Sequence, residues 1–168
     1  FSQQVAKIKN ELMCAVESVL ESGQYVLSEK GTQFEKEFSE YCEAKFSIGV
    51  ANGTDALHLV LRCLDVGPGD EVITAPNSFI ASAGAIGVLG AKPVFVDICP
   101  DLNLDPALLE KAITPKTKAI MPVHLTGRPA KMKQIIEIAD HHKLSVVEDA
   151  AQAVGAKLAG KKVGGIGD

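Results

Sequence analysis

No apolar run in this 168-residue chain approaches the ~20 residues that a membrane-spanning helix needs. There is no excess of positive charge either. Lys and Arg number 17 against 21 Asp and Glu, a net charge of −4, which leaves no electrostatic footprint for nucleic acid or an anionic membrane surface. Cys14, Cys42, Cys63 and Cys99 stand far apart and form no C-x-x-C, so neither a zinc ribbon nor a thioredoxin motif is supported. Free thiols in a reducing, cytoplasmic compartment are the expected state. His58, His124, His141 and His142 make no H-E-x-x-H or similar spacing, and no metal site is expected. The start, FSQQVAKIKN, lacks both Met and a signal-peptide apolar region and reads as the edge of a longer chain.

What is present is globular composition, with 46% hydrophobic and 23% charged residues, in a length that suits about one domain. Val5, Ile8, Leu12, Val16, Val19 and Leu20 keep a helical period that Ser22-Gly23 ends. A second helix is expected with Thr32 as cap and Glu35 closing a capping box, burying Phe34, Phe38 and Tyr41. The pattern then changes to short apolar runs alternating with helical segments. Strands are expected at 46–51, 71–75, 92–97, 118–125 and 144–150, and helices at 56–64, 79–90, 105–113 and 129–142. Asp105 caps the third of these helices, with Pro106 at its first position. The tail 156–168 reads as a hairpin. Such alternation predicts an α/β fold, a mostly parallel sheet with helices on both faces and right-handed crossovers.

Ligands of α/β sheets sit beyond the carboxyl ends of the strands. Those ends carry Asn52-Gly53-Thr54, Pro76-Asn77-Ser78-Phe79, Asp97, His124, and Glu148-Asp149 with Gln152. Gly53, Thr54 and Asp55 open a helix, where free N–H groups and the positive dipole end suit a phosphate. The same residues also read as an ordinary cap, with Thr54 or Asp55 serving only its own helix. Alternation along 144–150 turns Glu148 and Asp149 to opposite faces, so one carboxylate reaches the crevice. There it could keep a pyridinium nitrogen protonated, or simply cap the next helix. His124 is either an acid–base group or a satisfied structural histidine. Gly155, Gly160 and Lys161 imitate a P-loop, but Lys162 stands where Mg²⁺ binding needs Ser or Thr. No G-x-G-x-x-G follows the first strand.

Six segments taken together go further: GQYVLSEKGTQFEKEF, VANGTDALHLVL, GPGDEVITAPNSFIASAGAI, GAKPVFVDI, AIMPVHLTGRPAKM and VVEDAAQAVGA. In order and in wording they resemble the DegT/DnrJ/EryC1/StrS family of sugar aminotransferases, which depend on pyridoxal 5′-phosphate and have the aspartate-aminotransferase-like fold, fold type I. The resemblance implies that Gly53, Thr54 and Asp55 bind the cofactor phosphate and that Phe79 stacks on its ring. It implies that Asp149 pairs with the ring nitrogen, that Gln152 bonds near the ring hydroxyl, and that Glu148 is structural. The activity implied is amino transfer from an amino acid, glutamate being the expected donor, to a nucleotide-linked keto-sugar. Two alternatives stay open: a deoxysugar dehydratase of the same family, and a truncated domain that binds a phosphate ligand without turnover. The family's Schiff-base lysine and small C-terminal domain are expected beyond Asp168, and Lys157, Lys161 and Lys162 are no substitute. Residues 1–168 are thus expected to be the N-terminal part of the large domain, with 1–22 as an arm helix, in a protein that is a homodimer when complete.

Overall fold

A computed structural model describes the whole chain, Phe1–Asp168. Two helices come first, α1 (Ser2–Ser22) and α2 (Glu29–Cys42), followed by α3 (Gly53–Cys63). Strand β1 (Glu71–Thr74), helix α4 (Ile80–Val88) and strand β2 (Lys92–Phe95) come next, then the short helix α5 (Leu109–Ala112) and β3 (Thr117–Met121). Helix α6 (Met132–His142), β4 (Ser145–Val146) and a small pair, β5 (Lys157–Leu158) and β6 (Lys161–Lys162), complete the chain. The main sheet runs β2-β1-β3-β4, and every pair in it is parallel.

The two faces of this sheet follow from period-two alternation. Val72, Ala119 and Met121 point to one side, where they meet Leu57 and Leu61 of α3 and Ala81, Ala85 and Ile86 of α4. Ile73, Ile120 and Val146 point to the other, against Leu109 of α5 and Met132, Ile135 and Ala139 of α6. Helices cover both faces, so β1 is buried along its whole length, as a central strand of such a sheet must be. The hairpin forms as expected, with Lys157 paired to Lys162 through an Ala159-Gly160 turn in which both residues have positive φ. That geometry also removes the P-loop reading of Gly155, Gly160 and Lys161, because a phosphate loop must lead into a helix. Asp105 caps as expected, its Oδ1 accepting from the Ala107 N–H at 3.0 Å with Pro106 in the first turn.

Four expectations are corrected. Residues 46–51 form no strand. The Gly49 N–H donates to Glu35 Oε1 at 2.7 Å, and no neighbouring strand offers this stretch a ladder. Glu35 is therefore not half of a capping box. Ser28 is the cap of α2, its Oγ accepting from the Gly31 N–H at 3.3 Å, and Thr32 already lies in the first turn, its N–H on the Ser28 carbonyl. The aromatic stripe of α2 is not core: Phe34 is 59% and Tyr41 48% exposed. Strand 144–150 is regular only at Ser145–Val146. Beyond it the Val147 N–H reaches the Ile120 carbonyl, the Asp149 N–H reaches the Pro122 carbonyl, and the His124 N–H reaches the Asp149 carbonyl. The rung missing from this series is the one Pro122 would donate to Val147, and proline has no N–H.

Candidate functional site

A cleft of about 650 Å³ opens beyond the carboxyl ends of β1, β3 and β4. Asn52, Gly53, Thr54, Ser78, Phe79, Glu148, Asp149 and Gln152, eight of the strand-end residues singled out in the sequence, line it together. Asp97, Asn77 and His124, also at strand ends, do not.

The floor at one end is the start of α3. Its cap is Asn52, whose Oδ1 accepts from the Asp55 N–H at 2.9 Å while Nδ2 donates to Asp55 Oδ2 at 3.0 Å. Neither Thr54 nor Asp55 caps the helix. Asp55 turns back to Asn52, does not line the cleft, and has its amide committed. Gly53 and Thr54, the two positions before it, keep first-turn amides with no acceptor inside the helix. A Cβ built on Gly53 would meet nothing within 4 Å, so the backbone there stands open to an approaching group. Amides at the positive end of an eleven-residue helix form a place for an anion.

Asp149 also lines the cleft. Its Oδ1 accepts from the Ala151 N–H at 3.2 Å, and Oδ2 lies 3.5 Å from Ser82 Oγ, which in turn pairs with Ser78 Oγ at 2.9 Å. A carboxylate has about four acceptor positions, so Asp149 keeps capacity for a donor in the cleft. Phe79 presents a ring that is 68% exposed, a flat apolar surface in the same cleft as that carboxylate. Gln152 accepts the Thr126 N–H on Oε1 at 2.8 Å.

Glu148 and His124 belong to the support of the site. Glu148 Oε2 takes His124 Nε2–H at 2.8 Å and the Gly164 N–H at 2.9 Å, and Oε1 takes the Ile166 and Gly167 amides, both at 2.6 Å. Burial by itself would raise the Glu148 carboxyl. The His124 bond and the amides of Gly167, Gly164 and Ile166 outweigh it and bring the carboxyl down from 4.5 to about 2. His124 is fully buried, and its Nδ1 accepts the Ala130 N–H at 3.0 Å, so the ring proton sits on Nε2. Both nitrogens are occupied by structure, which leaves no acid–base function for this side chain.

Sequence reasoning named Asn52 only as a strand-end residue and missed it as the cap, and it missed Ser82 and the Thr126 amide altogether. Asn52 had a readable signal, an Asn-Gly pair directly before an apolar helix. Ser82 and Thr126 had none, because each acts on a residue 26 or more positions away.

A profile of the DegT/DnrJ/EryC1/StrS aminotransferase family matches residues 6–168. The chain is 50% identical over 167 residues to a "Pleiotropic regulatory protein" of Geobacillus stearothermophilus, covering 99% of this chain and 45% of that protein. It is 49% identical over 159 residues to dTDP-3-amino-3,4,6-trideoxy-alpha-D-glucose transaminase of Streptomyces venezuelae, covering 94% of this chain and 42% of that one. An X-ray structure of S. venezuelae DesV, in complex with a ketimine intermediate, superposes with a TM-score of 0.95 at 48% identity. That alignment covers 97% of this chain and 44% of the other. The chain spans less than half the length of these relatives. A family match over residues 6–168, with about half of the residues identical and the backbone superposed along nearly the whole chain, supports one conclusion: the chain belongs to the DegT/DnrJ/EryC1/StrS aminotransferase family.

Proposed function

We propose that the complete protein is a pyridoxal 5′-phosphate-dependent aminotransferase that moves an amino group from an amino acid, glutamate being the expected donor, onto a nucleotide-linked keto-sugar. The observation that carries this reading is the convergence of an anion-seating helix start, an exposed aromatic ring and a free-faced carboxylate on one cleft. These three features fit the cofactor's phosphate, ring and ring nitrogen in turn. When bound, the cofactor supplies an electron sink for a carbanion formed next to the transferred nitrogen. Gly53 and Thr54 would hold the phosphate through their amides and the Thr54 hydroxyl, with Asn52 keeping the turn rigid. The Phe79 ring would lie against the cofactor ring and exclude water from that face. The Asp149 carboxylate would hold a proton on the ring nitrogen, and Gln152 would bond to the ring oxygen.

Residues 1–168 would form the N-terminal part of the cofactor-binding large domain, with the cofactor's lysine and a small domain elsewhere in the protein. The apolar side of α1 (Val5, Ile8, Leu12, Val16 and Leu20) is exposed along its length. We assign that face to contacts of the complete protein, where the small domain and the partner subunit of a homodimer would dock. The four cysteines are unpaired, and no helix is long and apolar enough to cross a membrane; both fit work in the cytoplasm on nucleotide sugars.

The test is made on the complete protein. It should bind one pyridoxal 5′-phosphate per chain and, with glutamate, aminate a nucleotide-linked 3- or 4-keto-sugar in a mass-spectrometric assay. Cofactor binding without any amino transfer across a panel of such sugars would refute the assigned activity.

A further inference from the structure

Gln152 sits at the mouth of the cleft on an exposed stretch, and a long amide there would rotate freely unless something held it. Its Oε1 accepts the Thr126 N–H at 2.8 Å. An N–H can only donate, so the atom facing Thr126 must be the oxygen, and the NH₂ group is left for the cleft. The polarity of Gln152 is therefore set by the 125–129 turn rather than by Gln152 itself.

That turn is strained and held from below. Thr126 is β-branched, yet its φ of 56° and ψ of 23° are left-handed, a conformation that persists only where the surroundings impose it. The restraint is Asn103, 1% exposed. Its Oδ1 accepts the Leu125 N–H at 3.0 Å, and its Nδ2 donates to the carbonyls of Arg128 at 3.1 Å and Pro129 at 3.4 Å. One side chain thus grips both ends of the turn. Asn103 is itself fixed, its N–H on Asp101 Oδ1 at 3.1 Å and its carbonyl taking the Cys99 N–H at 2.8 Å. Gly127, at φ 87°, completes the fit: a Cβ there would lie 3.4 Å from the Gln152 carbonyl.

We propose that Asn103 and Thr126 are positioning residues, which hold Gln152 with its NH₂ toward the cleft so that it donates to an acceptor oxygen on the ring of the bound cofactor. The proposal rests on the cofactor reading above. Neither residue lines the cleft, and each acts only through Gln152.

The test is a double-mutant cycle in the complete protein: Asn103→Ala, Gln152→Ala and the pair. The readouts are the dissociation constant of pyridoxal 5′-phosphate, the pH midpoint of the bound cofactor's absorbance, and the melting temperature without cofactor. Each single change should weaken cofactor binding about fivefold, the worth of one hydrogen bond, and should move the absorbance midpoint. In the Gln152→Ala background, Asn103→Ala should add less than twofold and should not move the midpoint again. Gln152→Glu, which still accepts from Thr126 but turns an acceptor toward the ring, should bind as poorly as Gln152→Ala. Should Asn103→Ala not fold, Asn103→Asp replaces it, keeping the Leu125 contact and losing both donations. Losses that multiply in the double mutant, or a Gln152→Glu variant that binds like wild type, overturn this inference alone. A wild-type protein that takes up no cofactor overturns the reading of the site and this inference with it.

Discussion

Replacing Glu148 by Gln should cost the protein about 3 kcal/mol at neutral pH, and the cost should shrink in acid. The Glu148 side chain is 4% exposed and receives four donors. Its carboxyl stands at about 2 instead of 4.5. At ~1.4 kcal/mol for each tenfold in proton affinity, the folded state favours the ionised form by about 3 kcal/mol. A glutamine retains one oxygen, which can serve Ile166 and Gly167. Its NH₂ then faces the Gly164 N–H and His124 Nε2–H, donor against donor. His124 cannot yield by moving its proton, because Nδ1 is committed to the Ala130 N–H. The folded pKa lies below the unfolded one, so the stabilisation is fully present above pH ~4.5 and is lost as pH falls from there toward 2. Urea midpoints of the complete wild-type and Glu148→Gln proteins, followed by circular dichroism from pH 7 to pH 3, measure the gap. A gap below about 1 kcal/mol at pH 7, or one that stays constant down to pH 3, would refute the argument.

Asp149→Asn in the complete enzyme should abolish amino transfer while leaving the circular-dichroism spectrum intact, because an amide cannot hold the ring nitrogen's proton; single-turnover amination checks it, and activity within a few-fold of wild type counts against the assignment. Asn52→Ala should cost about 1 kcal/mol of stability as a lost cap and weaken phosphate binding, read from thermal melts with and without cofactor. Ile120→Ala, at a fully buried position between β1 and β4, should cost about 2–5 kcal/mol in the same melts.

Much of the architecture is local and was legible for that reason. The near-continuous burial of β1 and β3, the Asp105-Pro106 helix start and the Ala159-Gly160 turn each follow from residues within a few positions of one another. The alternation that sends Glu148 and Asp149 apart is equally local. Both carboxylates nevertheless line the cleft, and what separates them is their partners: four donors hold Glu148, while Asp149 keeps free acceptor capacity. The failures share a different cause. Residues 46–51 are as apolar as a strand, but a strand exists only where another backbone offers a ladder. Phe34 and Tyr41 keep a helical stripe that these 168 residues leave about half exposed.

By itself, then, the sequence determined the strand and helix alternation from residue 71 onward, the two-sided burial of the sheet, and the residue types gathered at its carboxyl edge. Tertiary structure alone decided how those residues are held. Glu148 is pinned by amides 16 to 19 positions away, Gln152 is turned by an amide 26 positions back, and Asn103 grips a turn 22 to 26 positions on. Backbone propensity and hydrophobic period act over a few residues, whereas a buried hydrogen bond needs its partner brought in by the fold. Side-chain polarity in the cleft is set by those distant partners, and no local pattern encodes them.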